Sequence, residues 1–437
     1  RSGLRYEHLR AIIDVAPQVC QSIAALATLA AKDGIPSSIA SLFYGGVVTA
    51  LVKPEGGIRP IVPQEVIGRV MSKAVQRQEW SNIRTAFPSM QSAFEPDGVS
   101  ATARLLEATT TMEPDWTAVA LDITNAFGTI NREKIQEALR SNPKTEKFLH
   151  LFRQIYGQSN LVTAKQESLS HHIHVNQGVL QGDPLAPFFF CIALQTALQR
   201  VKEQHPLVHI IAYVDDITMA GKAKDVAVAI EFLKSQLGNL GLQINNSKTQ
   251  VFSMQQNSID ELKNRVPWLQ QSHSVDMSTS AVMILGTPMG NHEAIKAMLS
   301  SKHRPATEKA IKDILNLQDH QSALLLLRYC ANPRINHLLR TVSPQVIADQ
   351  AKWHDEAILQ ALDRIVAPSI SSSSATNLKG RIGPDQCSDG LSGSIHGSLG
   401  RHDSHRQGCG RSSNHKGPAI FSPAGYTTLQ HPLGHQP

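Results

Sequence analysis

Three aspartates stand at positions where charge is costly, and they are the strongest chemical signal in the sequence. Asp215 and Asp216 are adjacent within residues 212–217, an otherwise apolar hairpin pattern. Asp122 lies near the end of another apolar run, 117–123, which predicts a buried strand. Neighbouring strands could bring Asp122 beside Asp215, and carboxylates clustered near a core are expected only where a cation compensates them. Together the three would form an all-oxygen site suited to Mg²⁺.

Each of these aspartates also has an ordinary structural explanation. An Asp-Asp pair between two strands can occupy a solvated type I′ turn, whose geometry aspartate tolerates. Asp122, taken alone, could simply precede a helix. The occurrence of both patterns in one chain favours the metal site, where two ions could clamp the attacking and leaving oxygens of a phosphoryl transfer.

Hydrophobic patterning predicts the elements that must position these aspartates. Asn131 is predicted to cap the helix that follows it, and Asp183 to cap a helix with Pro184 at its first position. Tight turns are predicted at 53–57 and 214–216. The predicted helices cover 1–45, 63–83, 131–140, 184–201, 223–240 and most of 300–367, and the predicted strands 47–52, 58–62, 117–123, 208–213, 217–220 and 282–285.

Six blocks follow one another in order between about residues 45 and 290. They are KP with GIRPI (53–61), DITNAF (122–127), NQGVLQGDPLAPF (176–188), YVDD (213–216), GLQIN with KT (241–249) and ILG (284–286). In this order they resemble the fingers block and motifs A to E of the reverse transcriptases, most closely the non-LTR retrotransposon type. One departure is Ala186, where many relatives carry a small hydroxyl residue.

The resemblance implies an α+β fold of the right-hand polymerase kind, with fingers, an antiparallel-sheet palm and a helical thumb. We expect an N-terminal helical segment at 1–45, fingers and palm at 46–290, and a helical thumb-like region at 291–367. Residues 368–437 form a Gly/Ser/His-rich tail without apolar periodicity. That tail is predicted to be disordered or translated out of frame.

The resemblance also assigns roles to the acidic residues. Asp122 and Asp215 would be the principal ligands of two Mg²⁺ ions, for which Mn²⁺ could substitute. Asp216 would complete the carboxylate cluster, and the carbonyl of Ile123 would assist metal binding. Lys248 would lie near the departing pyrophosphate and act as its general acid.

A second set of residues would bind the incoming deoxynucleoside triphosphate. The rigid ring of Phe127 would exclude a ribose 2′-hydroxyl, so deoxynucleotides would be preferred. A side chain at position 182 would obstruct the close approach of the sugar, and Arg59 would offset charge that builds up during transfer. The full set implied by the resemblance is Lys53, Arg59, Phe127, Gln181, Gly182 and Tyr213.

The predicted activity is DNA synthesis directed by RNA. Its partners would be an RNA template, a DNA primer or target, and deoxynucleoside triphosphates. Two alternatives stay open: an RNA-directed RNA polymerase, which Phe127 disfavours, and an inactive nucleic-acid-binding relic, which the intact carboxylates disfavour. Oligomeric state, template specificity and priming mode do not follow from the sequence.

Composition is compatible with this function without demonstrating it. The 437 residues are 41% hydrophobic, which excludes wholesale disorder. Lys and Arg exceed Asp and Glu by 42 to 36, but the tail after residue 368 contributes six against three, half of the net +6. The five cysteines form no CxxC pair, and the Cys and His residues of the tail do not fit a zinc spacing. His171, His172 and His174 alternate near a predicted strand, which favours exposure to solvent over metal binding.

The sequence also suggests where the protein acts. Its longest apolar run, 185–194, is ten residues, which is too short to cross a bilayer. The first residue is Arg1 and no signal-peptide pattern follows it. We therefore expect a fragment of a larger, soluble intracellular protein of the nucleus or cytoplasm, without membrane partners.

Overall fold

The structure, a computed structural model, describes residues 3–32, 34–53, 56–88, 90–166 and 169–366. The tail that was predicted to be disordered or out of frame lies outside the described residues. The first part of the chain is helical, as predicted, and then forms the predicted hairpin. Its elements are α1 (Tyr6–Val15), α2 (Val19–Ala31), α3 (Ser37–Tyr44), β1 (Gly46–Val47), β2 (Thr49–Val52), β3 (Ile58–Ile61), α4 (Val66–Gln78), α5 (Trp80–Thr85) and α6 (Gly98–Met112).

The middle of the chain alternates strands and helices. These elements are β4 (Trp116–Leu121), α7 (Ala126–Thr129), α8 (Arg132–Ser141), α9 (Leu149–Tyr156), β5 (Asn160–Gln166), β6 (Leu169–Val175), α10 (Ala186–Gln204), β7 (His209–Tyr213), β8 (Asp216–Lys222), α11 (Ala223–Asn239), β9 (Gln250–Ser253), α12 (Gln256–Arg265), β10 (His273–Asp276), β11 (Ala281–Ile284) and β12 (Thr287–Gly290).

The last described part is helical, with irregular turns near Pro333. Its helices are α13 (His292–Met298), α14 (Arg304–Leu315), α15 (His320–Leu326), α16 (Asn336–Thr341) and α17 (Pro344–Val366). Two π-helical turns, Leu299–His303 and Leu327–Ala331, and one 3₁₀ turn, Asn332–Ile335, connect them. Pro344, directly after Ser343, opens the last helix.

A five-stranded sheet, as far as the described residues show, forms the centre of the molecule. Its strand order is β10-β9-β4-β8-β7, and all pairs are antiparallel except β9 with β10. β4 lies in the middle, paired with β8 from Trp116–Lys222 to Leu121–Ile217. The first strand of this sheet along the chain, β4, is therefore its central strand, and the motif C hairpin, β7 and β8, lies on one side of it.

Both faces of the central sheet are covered, which explains why β4 reads as continuously apolar rather than alternating. Val119 and Leu121 belong to the large core that includes α10, whose residues Phe188–Phe190 are fully buried. Ala118 lies in a second core, which Leu106 of α6 and Val282 of β11 also join. Burying each large side chain contributes roughly 1.5–3 kcal/mol, so the sheet is held rigidly from both sides.

The two predicted helix caps have different outcomes. Asn131 caps α8 as predicted, because its side-chain oxygen accepts a hydrogen bond of 2.7 Å from Glu133 N. The prediction for Asp183 is wrong: α10 begins three residues later, at Ala186, with Pro187 in its first turn. Asp183 is buried instead, and its carboxylate accepts hydrogen bonds from Tyr156 Oη at 2.6 Å and from Leu185 N at 3.0 Å.

No helix in the described part of the chain is both long and apolar enough to cross a membrane.

The capping role of Asn131 gives a prediction for stability. Asn131→Ala leaves a backbone donor of α8 without its partner and should lower the free energy of unfolding by about 1 kcal/mol. Asn239→Ala, at the exposed end of α11, is the matched control and should change it by less than about 0.5 kcal/mol. Urea unfolding followed by circular dichroism measures both, and equal effects would contradict the cap.

Candidate active site

The sheet brings Asp122 to the motif C aspartates. Asp122 follows β4 directly, and the β4–β8 register ends with Leu121 opposite Ile217. The next position would set Asp122 opposite Asp216, the first residue of β8. Beyond the strand, Ile123 forms an isolated bridge with Ile244, and Asn245 N donates to the Asp122 carbonyl at 2.8 Å. The backbone at Asp122 is therefore fixed from both sides.

The turn that carries Asp215 is tighter than predicted. Tyr213 and Asp216 form the last pair of the β7–β8 ladder, so only Val214 and Asp215 make the turn and Asp216 belongs to a strand. Val214 has a positive φ of 56°, whereas Asp215 does not. A positive φ at the first central residue alone matches a type II′ turn rather than the type I′ turn considered from sequence.

The carboxylates of the site act on one another. Burial and the charge of Asp122 raise the pKa of Asp215, while the guanidinium of Arg59 opposes this. The pKa of Asp216 is raised to about 6, first because the surrounding chain removes part of its carboxylate from water and then because of the charges of Asp215 and Asp122. The rest of the residue is exposed at the rim of the site. Such shifts mark negative charge that the protein's own cations do not compensate.

A cavity of about 110 Å³ opens beside the carboxylates. Asp122, Asp216 and the exposed Lys248 line it, together with Leu285 at the end of β11. Lys248 follows a turn in which its own N–H donates to Asn245 Oδ1 at 3.3 Å. The predicted motif A, C, D and E residues therefore meet around one space.

The turn after β11 belongs to this site. Leu285 and Gly286 both have positive φ values, 49° and 77°, which form the type I′ hairpin turn. His337, from α16, holds it: its Nε2 donates to the Leu285 carbonyl at 3.1 Å and lies 3.1 Å from Thr287 Oγ1. A residue fifty positions away therefore fixes a turn that lines the cavity.

Motif B lies against the β2–β3 hairpin. Val62 N donates to the Gln181 carbonyl at 2.6 Å. Gly182 has φ +120°, and a Cβ there would lie 2.8 Å from the carbonyl carbon and oxygen of Val62. In the structure the need for glycine at 182 thus comes from the neighbouring backbone as well as from any sugar that approaches it.

Phe127 lies at the start of α7, half-buried, with its ring stacked on Phe190 at a centroid distance of 5.0 Å and an interplanar angle of 7°. Its carbonyl accepts a hydrogen bond of 2.7 Å from Val179 N, which ties motif A to motif B. The ring is therefore held in one orientation. This fixes the predicted sugar-selecting residue without testing its role.

The remaining predicted residues lie around this centre. Arg59 is exposed on β3 and is close enough to act on Asp215. Lys53 is exposed at the end of β2, where its N–H donates to Gly57 O at 3.1 Å. Tyr213 is half-buried at the end of β7, and Ile123 is buried after β4.

The acidic side chains of the site determine how a divalent cation could bind there. Across the described ranges, no group of three or more His, Cys, Asp or Glu side chains is arranged so that it could hold a metal ion. Mg²⁺ is commonly held by one or two carboxylates together with waters and substrate phosphates. Asp122 and Asp215 fit that second mode, and the charge of Asp122, which raises the pKa of Asp215, favours a bound cation.

Sequence reasoning missed the polar residues that hold these loops. Arg132 donates to the carbonyls of Gly178, Tyr156, Gln158 and Val175 and to Asn160 Oδ1, at 2.7–3.2 Å. Gln91 is buried against Val214. Their partners are mostly main-chain atoms distant in sequence, so no local pattern could have indicated them.

The chain is similar to known proteins over more than half of its length. The family described as reverse transcriptase (RNA-dependent DNA polymerase) matches residues 51–288. The "Retrotransposable element SLACS 132 kDa protein" of Trypanosoma brucei gambiense is 24% identical over 328 residues, 74% of this chain. The matched part is 26% of that protein, so this chain spans about a quarter of its length.

Solved telomerase structures are also similar. The telomerase from Candida albicans in complex with the TWJ fragment of telomeric RNA has a TM-score of 0.42 and 11% identity, covering 80% of this chain and 63% of that one. The apo telomerase from Candida tropicalis has a TM-score of 0.38 and 12% identity, covering 78% and 69%.

The raised pKa of Asp216 predicts a pH-dependent stability. Without divalent ions the folded state binds protons more strongly than the unfolded state, so stability falls as pH rises from about 4 towards the folded pKa of about 6. Asp216→Asn should therefore raise the melting temperature at pH 7.5 in chelator by about 2 °C, a value reduced for solvent screening. The gain should fade near pH 4.

Differential scanning calorimetry with chelator across this pH range makes the measurement. Asp115→Asn, at the opposite end of β4 and exposed, is the control and should show no such gain. A lower melting temperature for Asp216→Asn at pH 7.5 would contradict the electrostatic reading.

Proposed function

The chain belongs to the reverse transcriptase (RNA-dependent DNA polymerase) family, and we propose that it synthesises DNA on an RNA template. The predicted fold class, α+β with the right-hand polymerase arrangement, is confirmed by this match together with the sheet and helices described above. Within the proposal, residues 46–290 act as fingers and palm and 291–367 as the thumb. The retrotransposable-element relative supports a source of the non-LTR type.

The observation that carries the proposal is the shared electrostatics of Asp122, Asp215 and Asp216 at one edge of a rigid sheet. The charge of Asp122 raises the pKa of Asp215, and the charges of both raise the pKa of Asp216, so the cluster destabilises the protein unless cations bind there. A structural role would not require this placement. Phosphoryl transfer does require carboxylates clustered at one point, because the cations that they bind must offset the charge of the triphosphate and of its leaving group there.

Asp122 and Asp215 would hold the divalent ions, with Asp216 and the Ile123 carbonyl in support. When bound, Mg²⁺ or its substitute Mn²⁺ would offset charge that builds up on the transferring phosphate. Arg59 would add fixed positive charge at the triphosphate beside Asp215. Lys53 would also contact the triphosphate.

In the proposed reaction the 3′-oxygen of a DNA primer forms a bond to the α-phosphorus of a deoxynucleoside triphosphate. The bond from that phosphorus to the oxygen bridging the β-phosphate breaks, and pyrophosphate leaves. The hydroxyl proton passes to water, and Lys248 donates a proton to the pyrophosphate. Gln181, Gly182 and Tyr213 would position the incoming nucleotide on the template.

Asp215→Asn tests the proposal directly. Removing one principal carboxylate should lower primer extension on an RNA template by at least about 100-fold. The measurement is the single-nucleotide incorporation rate with Mg²⁺, alongside a thermal unfolding curve that shows the fold intact.

Asp115→Asn, a carboxylate exposed at the other end of β4, serves as the matched control and should extend primers like the parent protein. Extension retained in Asp215→Asn would overturn the assignment. A parent protein that binds RNA but never extends a primer would support the relic alternative.

Phe127→Val tests sugar selection. Removing the fixed ring opens space for a 2′-hydroxyl, so the preference for deoxynucleotides over ribonucleotides should fall by about 10- to 200-fold, the worth of one small group in a pocket. Competing incorporation of dGTP and GTP opposite template cytosine measures it. Phe127→Tyr keeps the ring and should keep the preference, whereas an unchanged ratio in Phe127→Val would contradict the role.

A further inference from the structure

The turn that presents Asp215 is strained. Val214 is β-branched and has a φ of +56°, a region that favours glycine. Such a conformation is unfavourable for a β-branched residue and persists only where the surroundings impose it. Repulsion between Asp215 and Asp122 acts at the same place. Something outside the turn must therefore hold it.

Gln91 makes the contacts that can do so. Its Oε1 accepts a hydrogen bond of 2.8 Å from Val214 N, and its Nε2 donates to Val214 O at 3.2 Å. Oε1 also accepts from Ala93 N at 3.3 Å, which fixes the direction of the amide. Gln91 is 2% exposed, so water does not compete for these bonds.

Gln91 is itself fixed to the sheet just ahead of the turn. Ala212 N donates to Met90 O at 2.7 Å, and Ser92 N donates to Ala212 O at 2.9 Å, which forms a parallel bridge beside β7. Ser92 Oγ also donates to Ala212 O at 3.1 Å and lies 2.5 Å from Thr102 Oγ1 of α6. The Gln91 amide thus has a rigid base two residues from Val214.

We propose that Gln91 is a positioning residue for catalysis, which clamps both backbone polar groups of Val214 and thereby holds Asp215 beside Asp122. The inference rests on the proposed function. Gln91 is buried, and its amide bonds to the backbone of Val214 and Ala93. It acts through the turn, so its loss should lower the chemical rate while substrate binding is preserved.

Three variants test this. Gln91→Met keeps the length of the side chain and removes both hydrogen bonds to Val214. Val214→Gly removes the need for the clamp, since glycine adopts a positive φ freely. Gln195→Met makes the same change at a buried glutamine of α10 whose polar side-chain atoms have no hydrogen-bond partner in the described structure, and it is the matched control.

We expect Gln91→Met to lower kcat for single-nucleotide incorporation by at least about tenfold, since displacing a reacting group by 1 Å can cost about 100-fold. KM for the nucleotide and Kd for primer–template should change less than threefold. Combining Gln91→Met with Val214→Gly should recover at least half of the lost kcat, measured against Val214→Gly alone. Gln195→Met should match the parent protein.

A second readout does not depend on activity. In the metal-free protein, hydrogen exchange at the Val214 amide, followed by NMR with ¹⁵N-valine, should quicken at least tenfold in Gln91→Met and stay unchanged in Gln195→Met. If Gln91→Met does not fold, Gln91→Asn replaces it, because one methylene less withdraws the amide from Val214.

An unchanged kcat with an unchanged Val214 amide would overturn the proposal, as would a kcat loss that Val214→Gly does not recover. Failure of the proposed function looks different. In that case the parent protein extends no primer, while exchange at Val214 still reports whether Gln91 holds the turn.

Discussion

Repulsion among like charges is the constraint on which this structure depends. Asp122 lies close enough to Asp215 and Asp216 for its charge to raise the pKa of both, in a place that burial has partly removed from water. Such a cluster can persist only if the packing around it holds the three side chains in place against their repulsion. A sheet buried on both faces, with Phe188–Phe190 packed fully inside on one side, provides that stiffness at β4.

The ends of the strands need additional support, because the regular hydrogen bonding of the sheet stops there. Two hairpin turns at the site contain a non-glycine residue with positive φ, Val214 and Leu285. Each receives side-chain hydrogen bonds from a distant segment, Val214 from Gln91 and Leu285 from His337. The strain is local, whereas the groups that hold it come from other elements.

This division explains how far the sequence could predict the site. Asp122, Asp215 and Lys248 could be predicted as site residues because their residue types and block order indicate chemistry, and Asp122 and Lys248 line the same cavity. The helix cap predicted at Asp183 was wrong because an Asp-Pro pair is also typical of a helix start. In the structure Asp183 is buried and accepts a hydrogen bond from Tyr156. Gln91 left no signal at all: a glutamine bonded to a backbone 123 positions away follows no spacing rule.

The bond from His337 to Leu285 has a mechanical meaning. His337 belongs to α16, among the C-terminal helices, while Leu285 lies in the turn after β11 and lines the cavity. A rotation of α16 must either break this contact or drag the turn along. The orientation of α16 and the shape of the cavity wall at Leu285 are therefore linked through this hydrogen bond.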